Sequence, residues 1–209
     1  MADSRIRQKT SYSGAQIAEL IEASYNVNIY NIEGFTPDRD LSDKRVSVYR
    51  DDKTGKAIAV HRGSNNAQDW RDNLTLLTSG RFESTKTYRL HKERQERINA
   101  KYGSENVTLI GHSRAGGYVE HLNRKDQYAG AITYNKAANW SNIGQQRRAN
   151  QTDIRSNYDI VSALTAFQRG GTDIRLHDQA GGNLIRKHST KPLKQSTKKA
   201  KKAKRASKY

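Results

Sequence analysis

With 209 residues the chain has room for one domain with a sizeable core plus appendages, and not for two ordinary domains. Cysteine is absent and hydrophobic residues make up 33%, which excludes disulfides, a thiol nucleophile and thiolate metal sites and describes a sparingly cored globule. The net charge is +17, but nine of its cations and no acid fall in residues 191–209, leaving +8 on residues 1–190.

No run approaches the roughly 18 apolar residues of a spanning helix, and residues 1–10 carry charges without an apolar signal core, which favours an intracellular setting. Ser13 precedes Ile17, Leu20 and Ile21 at helical spacing, predicting a capped helix near 14–25. Val46 to Tyr49 and Ala57 to Val60 flank a turn containing Asp52 and Gly55, predicting an antiparallel hairpin. The segment from Glu83 to Tyr102 predicts a mostly solvated helix with Tyr88, His91, Ile98 and Tyr102 along one side.

Val107 to Ile110 is an apolar run without alternation, as expected of a strand buried on both faces. It leads through Gly111 to Gly117 into a helical stretch, Tyr118 to Lys125. Ala129 to Tyr134, the weaker Asp153 to Arg155, and Asp173 to Leu176 are further strands, and their alternation with helices argues for βαβ units in a parallel sheet. Residues 191–209 have no apolar face to offset their ordering entropy, so disorder is expected there.

A nucleophilic serine must sit at a sharp strand-to-helix turn with small neighbours, and Gly111 and Ala115 flank Ser113 at that spacing. The same turn places the Arg114 N–H at a helix N-terminus, where it can stabilise an oxyanion.

The combination of Ala57-Ile58-Ala59-Val60-His61-Arg62-Gly63-Ser64, then Asp69-Trp70-Arg71-Asp72, then Gly111-His112-Ser113-Arg114-Ala115-Gly116-Gly117 resembles the class 3 lipases of the α/β-hydrolase superfamily, the fungal lipase-like family. Two motifs, in the family's order, each end a predicted strand. Arg114 and Ala115 stand where the family usually has Leu and Gly, and Asn135-Lys136 follows the next strand where many members have Gly-Gln-Pro. The resemblance runs from about residue 14 to 190 and is thin outside these motifs.

It implies an α/β-hydrolase fold over residues 1–190, with a mostly parallel central sheet, helices on both faces and an N-terminal antiparallel hairpin. It also implies that Ser64 supplies the second oxyanion-hole donor and that Asp69, Trp70 and Asp72 are structural, the Trp covering the core edge and the carboxylates capping a helix start or holding Arg62. In such hydrolases the acid and the histidine follow the serine. Asp159, in Asn157-Tyr158-Asp159-Ile160-Val161, resembles the family's Asn-x-Asp-x-Val turn and is preferred to Asp153, Asp173 and Asp178; its alternative is a cap for the residues that follow. Ordering and loop position leave His188 and His177 as candidate bases, with His188 favoured because the family places its histidine in that loop.

The expected activity is therefore a serine hydrolase cleaving carboxylic esters, with lipid acyl esters first, through Ser113, His188 and Asp159 and an acyl-enzyme. No cofactor is implied, and the six histidines show no metal-binding spacing. A second reading is a catalytically silent hydrolase fold that binds nucleic acid or an anionic membrane surface through residues 191–209, whose Lys-Lys-Ala-Lys-Lys-Ala-Lys-Arg run also resembles a nuclear-localisation signal.

Overall fold

The computed structural model describes residues 2–26, 31–63, 82–137, 144–157, 159, 162, 168–177 and 189–206. Two helices come first, α1 (Ala2–Thr10) and α2 (Gly14–Ser24). The sequence signalled only the second. Its start is fixed by a reciprocal cap, in which the Ser13 hydroxyl accepts the Gln16 N–H and the Gln16 side chain accepts the Ser13 N–H. Helix α1 has only Ile6 as a buried aliphatic anchor and depends on Asp3, which accepts the Gly14 N–H at 2.9 Å and the Thr197 hydroxyl at 2.7 Å.

Strands β1 (Phe35–Pro37), β2 (Val46–Asp51) and β3 (Ala57–His61) form an antiparallel meander. Helix α3 (Lys86–Tyr102), β4 (Val107–His112), α4 (Arg114–Lys125), β5 (Gly130–Tyr134), β6 (Arg147–Ser156) and β7 (Gly170–Leu176) follow, and α5 (Lys191–Ala206) ends the described chain. The seven strands lie side by side in chain order, with β3 to β7 all parallel. This is the α/β-hydrolase architecture, and the strand carrying the Ser113 turn lies at its centre.

Residues of β2 to β5 alternate between two apolar layers, as the period of two in a strand requires. Tyr49, Ile58, Val60, Ile110, Ile132 and Tyr134 face a layer that includes Ile17, Leu20 and Ile21 of α2. Val48, Ala59, Leu109 and Ala131 face the opposite layer with Ile98 of α3 and Val119 and Leu122 of α4. Helix α3 is less solvated than its composition suggests, since Tyr88, His91, Gln95 and Ile98 are all buried at helical spacing.

Two expectations need correcting. The segment near Asp153 is a ten-residue strand whose buried positions include Arg147, Gln151, Asp153 and Arg155, so its polar side chains concealed its length. The segment 191–209, expected to lack order, is helical through Ala206. Leu193 is fully buried, Thr197 also accepts the Ala15 N–H at 2.9 Å, and Thr190 and Lys194 both bond Glu22 of α2. One leucine, two hydroxyls and an ion pair anchor a helix that has no broad apolar face, so the folded domain extends past residue 190.

Candidate active site

Strand β4 ends in a corner that only particular residues can form. Ser113 has φ 58° and ψ −127°, a sparsely populated conformation for a residue with a side chain, costing on the order of 1–3 kcal/mol. Three backbone hydrogen bonds offset that cost: Ser113 N–H donates to the Tyr134 carbonyl at 3.1 Å, and its own carbonyl accepts Gly116 at 3.0 Å and Ala137 at 3.1 Å. A Cβ at Gly111 would lie 2.6 Å from the Ala115 carbonyl oxygen and 2.8 Å from Val119, so the turn requires glycine there. Ser113 is 5% exposed and its hydroxyl does not cap α4, leaving it clear of the first-turn N–H groups.

Parallel pairing sets His61 of β3 opposite Gly111, so the chain leaving β3 passes beside this corner. A Cβ on Gly63 would stand 3.2 Å from the Ser113 Cβ and 2.8 Å from the His112 carbonyl oxygen. Tyr25, just past α2, ties the two segments together. Its hydroxyl accepts the Gly63 N–H at 3.2 Å and shares a hydrogen bond with His112 Nδ1 at 2.9 Å. Burial pushes the Tyr25 phenol up to about 12, although the Gly63 N–H, Arg62 and Arg114 pull the other way.

Of the residues singled out from the sequence, Ser113 and Arg114 form this corner. Asp159 is 4% exposed beyond the C-terminal end of β6, at the sheet edge that carries Ser113. Its Oδ2 accepts the Ser162 N–H at 3.1 Å, the capping contact weighed above. Ser64, Asp69, Trp70, Asp72 and His188 lie outside the described residues. His177 is exposed directly after β7, and His121 packs against Phe82 and Tyr88 with Nδ1 3.4 Å from Glu83. Among the described residues no group of three His, Asp or Glu side chains could hold a metal ion.

Two polar clusters beside the corner were not anticipated. His61 Nε2 donates to Gln95 Oε1 at 3.0 Å, so the neutral ring's Nδ1 accepts from His91 Nδ1 at 3.1 Å. Burial keeps both neutral, holding His61 near 4 and His91 well below the usual imidazole range. On the other side, Lys136 is 2% exposed and its ammonium contacts Glu120 at 2.7 Å, Asp153 at 2.6 Å and Gln168 at 2.8 Å. Asp153 also accepts Arg147, Thr133 and Gln151. Burial alone would raise its carboxyl, but Lys136 and Arg147 outweigh that and hold it near 2. The signal for this cluster was a lysine directly after an apolar strand, with charges inside the next one.

No protein-family model and no curated protein matches the chain. Among solved structures it is similar to the Rhizomucor miehei lipase in a propeptide complex, at 16% identity and a TM-score of 0.49, over 92% of this chain and 78% of that one. A triacylglycerol lipase from Penicillium expansum is 17% identical with a TM-score of 0.45, over 77% and 76%. The Lip2 lipase of Yarrowia lipolytica is 14% identical with a TM-score of 0.41, over 64% of this chain, which spans 61% of Lip2. At these identities and overlaps the likenesses say nothing of the chemistry of this chain.

Proposed function

We propose that the protein is a serine hydrolase of carboxylic esters, with lipid acyl esters as the first substrate class. The observation that carries this reading is the strained Ser113 corner between a central parallel strand and a helix, with Gly63 of the neighbouring strand end packed against it. In this mechanism Ser113 Oγ attacks the ester carbonyl while His188 takes its proton, and Asp159 orients the imidazole. The negative charge that develops on the carbonyl oxygen is met by the N–H groups of Arg114 and Ser64. Collapse expels the alcohol, protonated by His188, and leaves an acyl-enzyme that water resolves by the same steps in reverse order.

A fluorophosphonate probe is expected to label Ser113, and both labelling and ester turnover should vanish in Ser113→Ala; labelling that persists unchanged rejects the reading. His188→Ala should lower kcat far more than His177→Ala, and the opposite order would move the base to His177.

A second reading concerns α5, whose first turns are fixed to α1 and α2 while Lys191 and Lys198 stay exposed. It attaches the domain to anionic membrane surfaces, at about 1 kcal/mol per cation near such a surface. The test must spare the anchor: deletion of residues 199–209 should weaken salt-sensitive binding to anionic vesicles without unfolding the protein. Unchanged vesicle binding rejects the attachment, and loss of duplex DNA binding instead would redirect it to nucleic acid.

A further inference from the structure

Tyr134 touches three separate stretches of chain around the Ser113 corner. It ends β5 fully buried, and its carbonyl accepts the Ser113 N–H at 3.1 Å. Its phenol hydroxyl donates to the Ser189 carbonyl at 2.9 Å and lies 2.8 Å from Ser156 Oγ at the end of β6. A phenol has one proton and the Ser189 carbonyl takes it, so the Ser156 hydroxyl donates to Tyr134. The Ser156 carbonyl in turn accepts the Asp159 N–H at 3.4 Å. One residue therefore joins the turn of Ser113, the turn of Asp159 and the chain at Ser189.

Its surroundings are built to keep that geometry. Asn135 takes φ 44°, a left-handed conformation that costs a residue with a side chain more than it costs glycine. Its amide offsets the strain, because Oδ1 accepts the Ser156 N–H at 2.8 Å and Nδ2 donates to Ser156 Oγ at 3.3 Å. Ser156 is thus oriented by Asn135 and presents its proton to Tyr134. The Tyr134 ring stacks on His112, with centroids 5.7 Å apart and planes 21° from parallel. Beyond Ser189, Thr190 bonds Glu22 of α2 and its carbonyl accepts the Leu193 N–H at 3.1 Å, so α5 holds the same stretch from its other end. Phenylalanine would fill this place in the apolar layer as well as tyrosine does, so the two bonds of the hydroxyl are what tyrosine adds.

We propose that Tyr134 is the positioning residue of this site, its hydroxyl fixing the chain at Ser189 and the Asp159 turn against the strand end that carries Ser113. Ser189 follows the candidate base His188 in the chain, so this bond anchors one end of the peptide that carries it. The effect on turnover rests on the hydrolase reading, whereas the tether itself can be observed without turnover. Orientation acts on kcat, because a proton acceptor held loosely slows the chemical step without weakening ester binding.

The experiment compares full-length wild type, Tyr134→Phe and Tyr49→Phe. Tyr134→Phe keeps the ring and the backbone carbonyl that holds Ser113. Tyr49 of β2 lies in the same apolar layer but level with Ile58 and Thr108, near the start of β4 and away from the corner, so its variant controls for loss of a buried hydroxyl. In Tyr134→Phe the carbonyl carbon resonance of Ser189 is expected to shift, and kcat for 4-nitrophenyl butyrate and the rate of fluorophosphonate labelling should both fall about tenfold or more with KM unchanged. Tyr49→Phe should leave the resonance and kcat as they are. An unmoved Ser189 resonance overturns the proposal, as does an unchanged kcat in Tyr134→Phe or an equal loss of kcat in Tyr49→Phe. A Ser189 shift in a protein whose wild type neither labels nor cleaves the ester upholds the tether and removes the hydrolase reading instead.

Discussion

The two halves of the sheet are held together by different forces. From β2 to β4 both faces are aliphatic, Val48, Ala59 and Leu109 on one side and Ile58, Val60 and Ile110 on the other. From β5 to β7 one side of the sheet carries an ionic lattice in which Lys136 is shared by Glu120 and Asp153, and Asp153 is shared in turn by Arg147. The apolar half tolerates imperfect geometry because its attraction has no direction. The ionic half depends on every partner, since a buried charge left alone is expensive. Ser113 lies at the seam, with its N–H bonded to Tyr134 of β5 and its Cβ close to Gly63 at the end of the neighbouring strand β3.

The sharpest way to break this contrast is to remove one member from each half. Lys136→Met should destabilise by about 3–5 kcal/mol because Glu120 and Asp153 lose their shared cation. Leu109→Ala should cost about 2–5 kcal/mol from the methyls and cavity lost. Urea titrations read both values. A Lys136→Met cost below that of Leu109→Ala would mean the lattice contributes little.

Acid should separate the halves in sequence. The His61 pKa is depressed from 6.5 to about 4, so its contribution is present above pH 6.5 and is lost as pH falls through 4, amounting to on the order of 3 kcal/mol. Asp153 is depressed from 3.8 to about 2, so its share, about 2 kcal/mol, holds above pH 3.8 and disappears toward pH 2. Melting temperatures measured from pH 8 to 2 should therefore fall first with the histidine pair beside β3. Replacing both His61 and His91 by Gln should flatten the upper limb alone, and an unchanged limb would remove the pair from the account.

The smallest effect belongs to the link across the seam. Tyr25→Phe removes the bonds to Gly63 and His112 and should cost about 1 kcal/mol in stability. Its clearer mark should be a His112 Nδ1 that has lost its hydrogen-bond partner, read by nitrogen chemical shifts. An unaltered ring spectrum would place the hydroxyl elsewhere.

Much of this was legible in the chain. The hairpin, α2 and β4 announce themselves through periodicity, a cap and an unbroken apolar run, and Gly111 and Ala115 mark the corner because only small residues fit there. What hid was polar and long-range. Asp153 and Arg155 read as weak strand residues because their neutralising partners come from other elements. Tyr25 gives no local sign that it bridges Gly63 and His112. Helix α5 was misread because Leu193 and Thr197 suffice as an anchor only when α1 and α2 present Asp3 and Ala15 to them.

The bond between Asp3 and Thr197 joins positions 194 residues apart. Loop closure over such a span comes late, after local helices and neighbouring strands have formed. On a ribosome, α1 therefore waits without its partner until α5 has been synthesised and has cleared the exit tunnel, and a product truncated before α5 would leave Asp3 of α1 and Ala15 and Glu22 of α2 without their partners, exposed to quality-control machinery.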